Sequence, residues 1–182
     1  MKIKITDLKK QLKEYEQKEL IELIVEMFKS SKEVQNYLSS KFLGDVAIEG
    51  LYQKVKNKIE KQFSSDRALR LAEIKKEITD FQKATNDIKR TADLMLLYVE
   101  QGVEYTTSFG YFSESFYSSM VKMFDQVATE CDNDEELYND LSNRIQEVLS
   151  MLDDCDWAFS EAIHESYYSI GWVHDEEDDE EW

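Results

Sequence analysis

Glu100 and Glu104 stand four residues apart, one helical turn if the segment is helical. That spacing puts two carboxylates on one helix face, and a buried carboxylate pair is an arrangement that can do general acid and base work. An aromatic stretch overlaps the pair: between Gly102 and Tyr117 the chain carries Tyr105, Phe109, Tyr111, Phe112, Phe116 and Tyr117 around Thr106, Thr107 and Ser108. Rings and small hydroxyls beside glycines line ligand pockets and partner surfaces. They also seal the corners between long helices, because aromatics dominate cores as well as interfaces. Glu100, Glu104, Tyr105, Tyr111 and Phe112 are therefore the candidate binding residues, as walls of a pocket near residues 100–117, and no residue is assigned a catalytic role.

The remaining chemistry is thin. His164 lies in Glu161-x-x-His164-Glu165, a helical spacing that supplies ligands to di-iron carboxylate bundles. Such a site needs the motif twice plus two further glutamates, and the other histidine, His174, has Gly171 where the second motif requires an acid. Asp153, Asp154 and Asp156 lack the spaced oxygens, central glycine and closing glutamate of an EF-hand loop. No Gly-x-Ser-x-Gly elbow, no triad within reach of either histidine and no phosphate-cradling glycine loop appears. Cys131 and Cys155 form no CxxC pattern and read as small buried hydrophobes in a reducing compartment. The expectation is no metal and no cofactor.

The elements that must position these residues are helices. The chain of 182 residues has no proline and five glycines, and its apolar residues recur at helical spacing almost from end to end. Ile5, Leu8, Leu12 and Tyr15 stripe a first short helix capped by Thr6; Leu20, Leu23, Ile24, Met27 and Phe28 stripe a second; Val34, Tyr37, Leu38 and Phe42 stripe a third capped by Ser31. Gly44 ends this front section, residues 1–43. Longer helices follow over 45–172, striped by Leu51, Val55, Ile59 and Phe63, then by Leu71, Ile74, Ile78 and Phe81. The helix from about Ile88 to Val103 is apolar all round through Leu94-Met95-Leu96-Leu97-Tyr98-Val99, which predicts the central, most buried element.

Ser113 caps the next helix, with Phe112 placed to staple onto Tyr117. Its stripe is Phe116, Met120, Phe124, Val127 and Cys131. Another begins at Asp132 to Asp134, and a last one carries Trp157, Ala158, Ala162, Ile163, Tyr167 and Ile170 and stops at Gly171. The predicted fold is all-α, an irregular antiparallel helical bundle or short α-α superhelix of about eight or nine helices, forming one domain over 1–172. The acidic tail, 173–182, with seven consecutive acids from Asp175 to Glu181, is expected to stay solvated and mobile.

Charge narrows the partners. From Asp132 to Trp182 there are 18 acids and one base, Arg144, whereas residues 1–131 hold 21 of each. Phosphate affinity requires clustered lysines and arginines, so direct nucleic-acid binding is disfavoured. A basic protein surface, or the front half of another copy, is the better electrostatic match. The longest apolar run, Leu94 to Val99, is far short of the roughly 20 residues that span a bilayer, and the start lacks a signal-peptide core, so no membrane and a cytoplasmic location are expected.

Four segments carry a family resemblance: Thr6-Asp-Leu-Lys-Lys through Glu19-Leu-Ile-Glu-Leu, Leu69-Arg-Leu-Ala-Glu-Ile-Lys-Lys, Ala92-Asp-Leu-Met-Leu-Leu-Tyr-Val-Glu-Gln-Gly-Val-Glu-Tyr-Thr, and Phe116-Tyr-x-Ser-Met-x-x-Met-Phe124. They resemble one of the small all-helical bacterial families of unknown function, over most of the chain except the acidic tail. The resemblance implies a bacterial, soluble, helical protein and brings no activity or site residue with it. The expected function is a non-enzymatic interaction module with an acidic C-terminal face. The alternatives are an enzyme or small-ligand binder using the 100–117 corner and, more weakly, an acidic nucleic-acid mimic.

Overall fold

The structure, a computed structural model, describes residues 2–64, 68–110 and 112–173. Among these residues there are nine α-helices and no strand: α1 (Ile5–Lys13), α2 (Gln17–Ser30), α3 (Lys32–Leu43), α4 (Asp45–Phe63), α5 (Leu71–Thr85), α6 (Ile88–Phe109), α7 (Glu114–Asn133), α8 (Glu135–Met151) and α9 (Trp157–Tyr168), with a single 3₁₀ turn (Leu152–Asp154) between the last two. The all-α fold read from the apolar periodicity is the fold observed. The acidic tail beyond Val173 lies outside the described residues.

Side chains and backbone signals set the helix ends. Ser31, Asp87, Ser113, Asp134 and Asp156 each accept a hydrogen bond from a backbone N–H in the first turn of the helix that follows, satisfying a donor with no partner inside the helix. Asn86 in the left-handed region (φ 53°) closes α5, and Gly44 (φ 62°) turns α3 into α4. Thr6 does not cap α1. The helix starts one residue earlier, at Ile5, with Lys4 as its cap position and no capping side chain.

Packing follows chain order. Each principal helix pair joins an element to its next or next-but-one neighbour: α3 lies on α4 and α5, α4 on α6, α6 on α7 and α8, and α7 on α9. This succession suits an antiparallel helical bundle with short connections. α6 lies at its centre, as its all-round apolar sequence requires, with Leu94, Leu96, Tyr98, Val99 and Val103 fully enclosed. The stripes of α4 (Val55, Ile59, Phe63) and α5 (Ile74, Ile78, Phe81) face it, as do those of α7 and α8.

Two stripes depart from expectation. In α9 the buried line is Phe159, Ile163, Tyr167 and then Ile170, while Trp157 is 74% exposed. Trp157 is the first helical residue after the Asp156 cap, half a turn out of phase with that line, and the helix ends at Tyr168, before Gly171. In the front section the stripes exist but are only partly covered: neither α1 nor α2 fully buries a single residue, Leu12, Leu20 and Leu23 are half-buried, and of α3's stripe Tyr37 and Phe42 are exposed. Each such side chain, about half in water, forgoes part of the roughly 1.5–3 kcal/mol that full burial yields.

Candidate functional site

Glu100 and Glu104 emerge from α6 on the same side and part company at once. Glu100 is taken by Arg144 of α8: Nε and Nη2 of the guanidinium donate to its two carboxylate oxygens at 2.7 Å each. The third guanidinium nitrogen donates to Asp93, two turns earlier on α6, whose other oxygen accepts from the Tyr52 hydroxyl of α4 at 2.5 Å. Three helices are thus tied by one polar chain, Tyr52–Asp93–Arg144–Glu100, in which Arg144 is 31% exposed and Glu100 18%. Burial alone would depress the Arg144 guanidinium. The hydrogen bonds and charge of Glu100 and Asp93 outweigh it and hold the group above its ordinary range. Burial, with the Asp93 carboxylate beside it, holds the Tyr52 phenol above its own ordinary range. Glu104, by contrast, is exposed and accepts from Gln101 at 3.1 Å. The two carboxylates therefore do not form an acid and base pair.

Tyr105 and Phe112 meet, with ring centroids 5.1 Å apart. They belong to a run of stacked and edge-on rings that crosses the corner between α6 and α7: Phe63 to Tyr105 at 6.0 Å, Phe112 to Phe116 at 4.9 Å, Phe116 to Tyr117 at 5.7 Å and Tyr117 to Phe159 at 4.8 Å. Such pairs contribute about 0.5–1.5 kcal/mol each beyond their burial. The expected staple takes a different form: the Phe112 backbone N–H donates to the Tyr117 hydroxyl at 3.2 Å, while the Phe112 ring lies on Phe116. Tyr111 lies outside the described residues.

Beside this aromatic joint is an open cleft of about 470 Å³, lined by Leu69, Leu71, Tyr105, Phe112, Ser113 and Phe116 among others. A smaller one, about 250 Å³, has Glu104 and Tyr105 in its wall with Phe63, Gln101 and Phe109. Of the five candidate binding residues, Tyr105 and Phe112 share the larger cleft, Glu104 faces the smaller, and Glu100 is committed to Arg144. The larger cleft carries no carboxylate among the described residues.

His164 turns its Nδ1 to the Ser160 carbonyl oxygen at 2.9 Å, which fixes the proton on Nδ1. Among the described residues no three His, Cys, Asp or Glu side chains converge as a metal ion would require. Both cysteines are reduced thiols: Cys131 is fully buried, and burial, aided by Asp134 and Glu130, pushes it up to about 12, whereas Cys155 is only half-buried. No helix among the described residues is long and apolar enough to cross a membrane.

Spacing did not reveal the polar chain, because its partners lie 41 to 51 residues apart. One signal was present: Arg144 is the single base among the last 51 residues.

Residues 3–168 match DUF6155, a family of unknown function, and the chain belongs to that family. No curated protein and no solved structure matches the chain.

Proposed function

We propose that this protein is a non-enzymatic helical interaction module whose acidic surface, on the outer sides of α7, α8 and α9, engages a basic protein partner. The observation that carries this reading is the inward commitment of Arg144. With it held between Glu100 and Asp93, the surface presents Asp132, Glu135, Glu147, Asp153, Glu161 and Glu165, all exposed, with no base from residues 132–173 among them. Lys89 of α6 reaches Glu136 and Asp140 at 2.9 and 3.6 Å, which leaves most of the acids uncompensated. Repelling like charges at that density favour a partner of the opposite sign and speed its approach. A charge-reversed variant, Glu135→Lys with Glu147→Lys and Glu161→Lys, tests it. Partners captured at about 50 mM salt should dissociate by about 300 mM and should not bind the variant at all. Capture that withstands both changes rules the reading out.

A second reading, a small-ligand binder, is favoured by the 470 Å³ cleft against Tyr105 and Phe112. Its lining of rings, aliphatic groups and serine hydroxyls suits an apolar or aromatic molecule with one or two polar atoms. A thermal shift with such ligands that Tyr105→Ala abolishes would support it, and no shift across a broad set would reject it.

A further inference from the structure

We propose that the front section is the contact face of a symmetric dimer, in which α2 of one copy packs on α2 of a second. Of the 17 large hydrophobic residues left exposed in the described chain, 13 fall between Ile3 and Val46. Monomeric proteins scatter such residues singly, and a contiguous set marks a partner surface. The exposed hydrophobic residues on α2 are Met27 and, at the i, i+3, i+4, i+7 spacing with which one helix packs along another, Ile21, Ile24, Val25 and Phe28, 40–54% accessible. On α1, Ile5 and Leu8 are exposed as well. These helices are part of the family domain, whose match begins at residue 3.

Charge selects a second copy as the occupant. Residues 1–43 carry nine lysines and seven acids, so two fronts approach with little repulsion. Residues 132–182 carry a net charge of −17, and two of those halves repel one another. α2 packs on α3, and α3 on α4 and α5, while α7 and α8 pack on α6 and α9 on α7, so contact through α2 is the approach that keeps the acidic halves apart. An anionic membrane, the other taker for an exposed lysine-bearing helix, would have to accept that acidic body beside it. An isologous contact also closes on itself and gives a dimer rather than a fibre. The exposed apolar residues of α2 would form the centre of such an interface, with the polar residues around them supplying its rim.

The full chain is tested by sedimentation or light scattering across concentration. The expected mass is twice the 21.5 kDa of one chain, and it should persist in about 0.5 M salt, because apolar burial is not screened. Ile24→Glu with Phe28→Glu should raise the dissociation constant at least about 100-fold while the monomer keeps its helix content by circular dichroism, since roughly half of each side chain already faces water. Reversing Glu135, Glu147 and Glu161 should leave the dimer intact, which separates this inference from the acidic-surface reading. A monomer at about 0.1 mM overturns it. So does a dimer indifferent to the Ile24 and Phe28 changes, or one that salt dissolves, which would place the basic front on another copy's acidic surface. Loss of the monomer onto anionic vesicles, with no dimer in their absence, would assign the front to lipid instead.

Discussion

Arg144 of α8 meets Glu100 of α6 fork to fork, two guanidinium nitrogens on two carboxylate oxygens at 2.7 Å. This is the geometry in which arginine is not replaceable by lysine, because a point charge cannot satisfy both oxygens in their plane.

Arg144→Met should therefore destabilise the protein by about 2 kcal/mol, less than the 3–5 kcal/mol for breaking a fully buried pair because water reaches about a third of the site. Arg144→Lys should cost about half as much. In a chain of this length, 2 kcal/mol lowers the melting temperature by roughly 4–8 °C. Urea midpoints for the two variants, ordered Met below Lys below wild type, are the check, and coincident midpoints would deny the polar chain any structural role.

Gly102 shows a second constraint on α6. A Cβ there would overlap the thioether of Met120 on α7, and Met120 is fully buried. Replacing a helical glycine by alanine gains about 1 kcal/mol in propensity, while forcing volume into a packed core costs about 1–3. The overlap wins, so Gly102→Ala should be destabilising by about 1 kcal/mol although the same change at an exposed helical site stabilises. Combined with Met120→Val, which opens the space, the alanine should be neutral or favourable. A double-mutant cycle reads this coupling directly, and additive effects would contradict it.

The thiols should separate cleanly. In native protein near neutral pH a thiol reagent should modify Cys155 and leave Cys131 untouched, while in urea both react. Burial also ties stability to alkaline pH. Cys131 and Tyr98 are both pushed up to about 12, so the native state keeps two protons that the unfolded chain releases from about pH 8.5 and 10 respectively. Their contribution is complete below those values and is lost as pH rises toward 12, each by up to about 1.4 kcal/mol per unit. The urea midpoint should fall from about pH 9 upward, and less steeply in Cys131→Ala. A flat profile to pH 11 would show that neither proton is retained.

What could be read in the sequence was whatever depends on local periodicity. The apolar girdle of Leu94 to Val99 identified the central helix because no face of it is fit for water, and Ser31 and Ser113 announced helix starts because a hydroxyl at that position answers a donor three residues on. Periodicity could not say whether a stripe finds a mate. The stripes of α1 and α2 are as regular as that of α4, yet only α4's faces α6. The Glu100 and Glu104 spacing placed both acids on one helix, but their fates were decided by Arg144, 44 residues beyond Glu100 and brought to it by α8. Long-range pairing of this kind leaves no mark on spacing, only on composition.

The order of packing bears on how the chain acquires its shape during synthesis. Helices that dock on their immediate successors close only short loops, a topology associated with rapid folding. But α6, residues 88 to 109, is the element on which both halves rest. Until the ribosome has released it, α4 and α5 have each other but no centre, at about 5–20 residues per second an interval of several seconds. The nascent chain should thus acquire protease resistance only after α6, and the α7 and α8 that cover its other side, have cleared the exit tunnel, rather than helix by helix from the start.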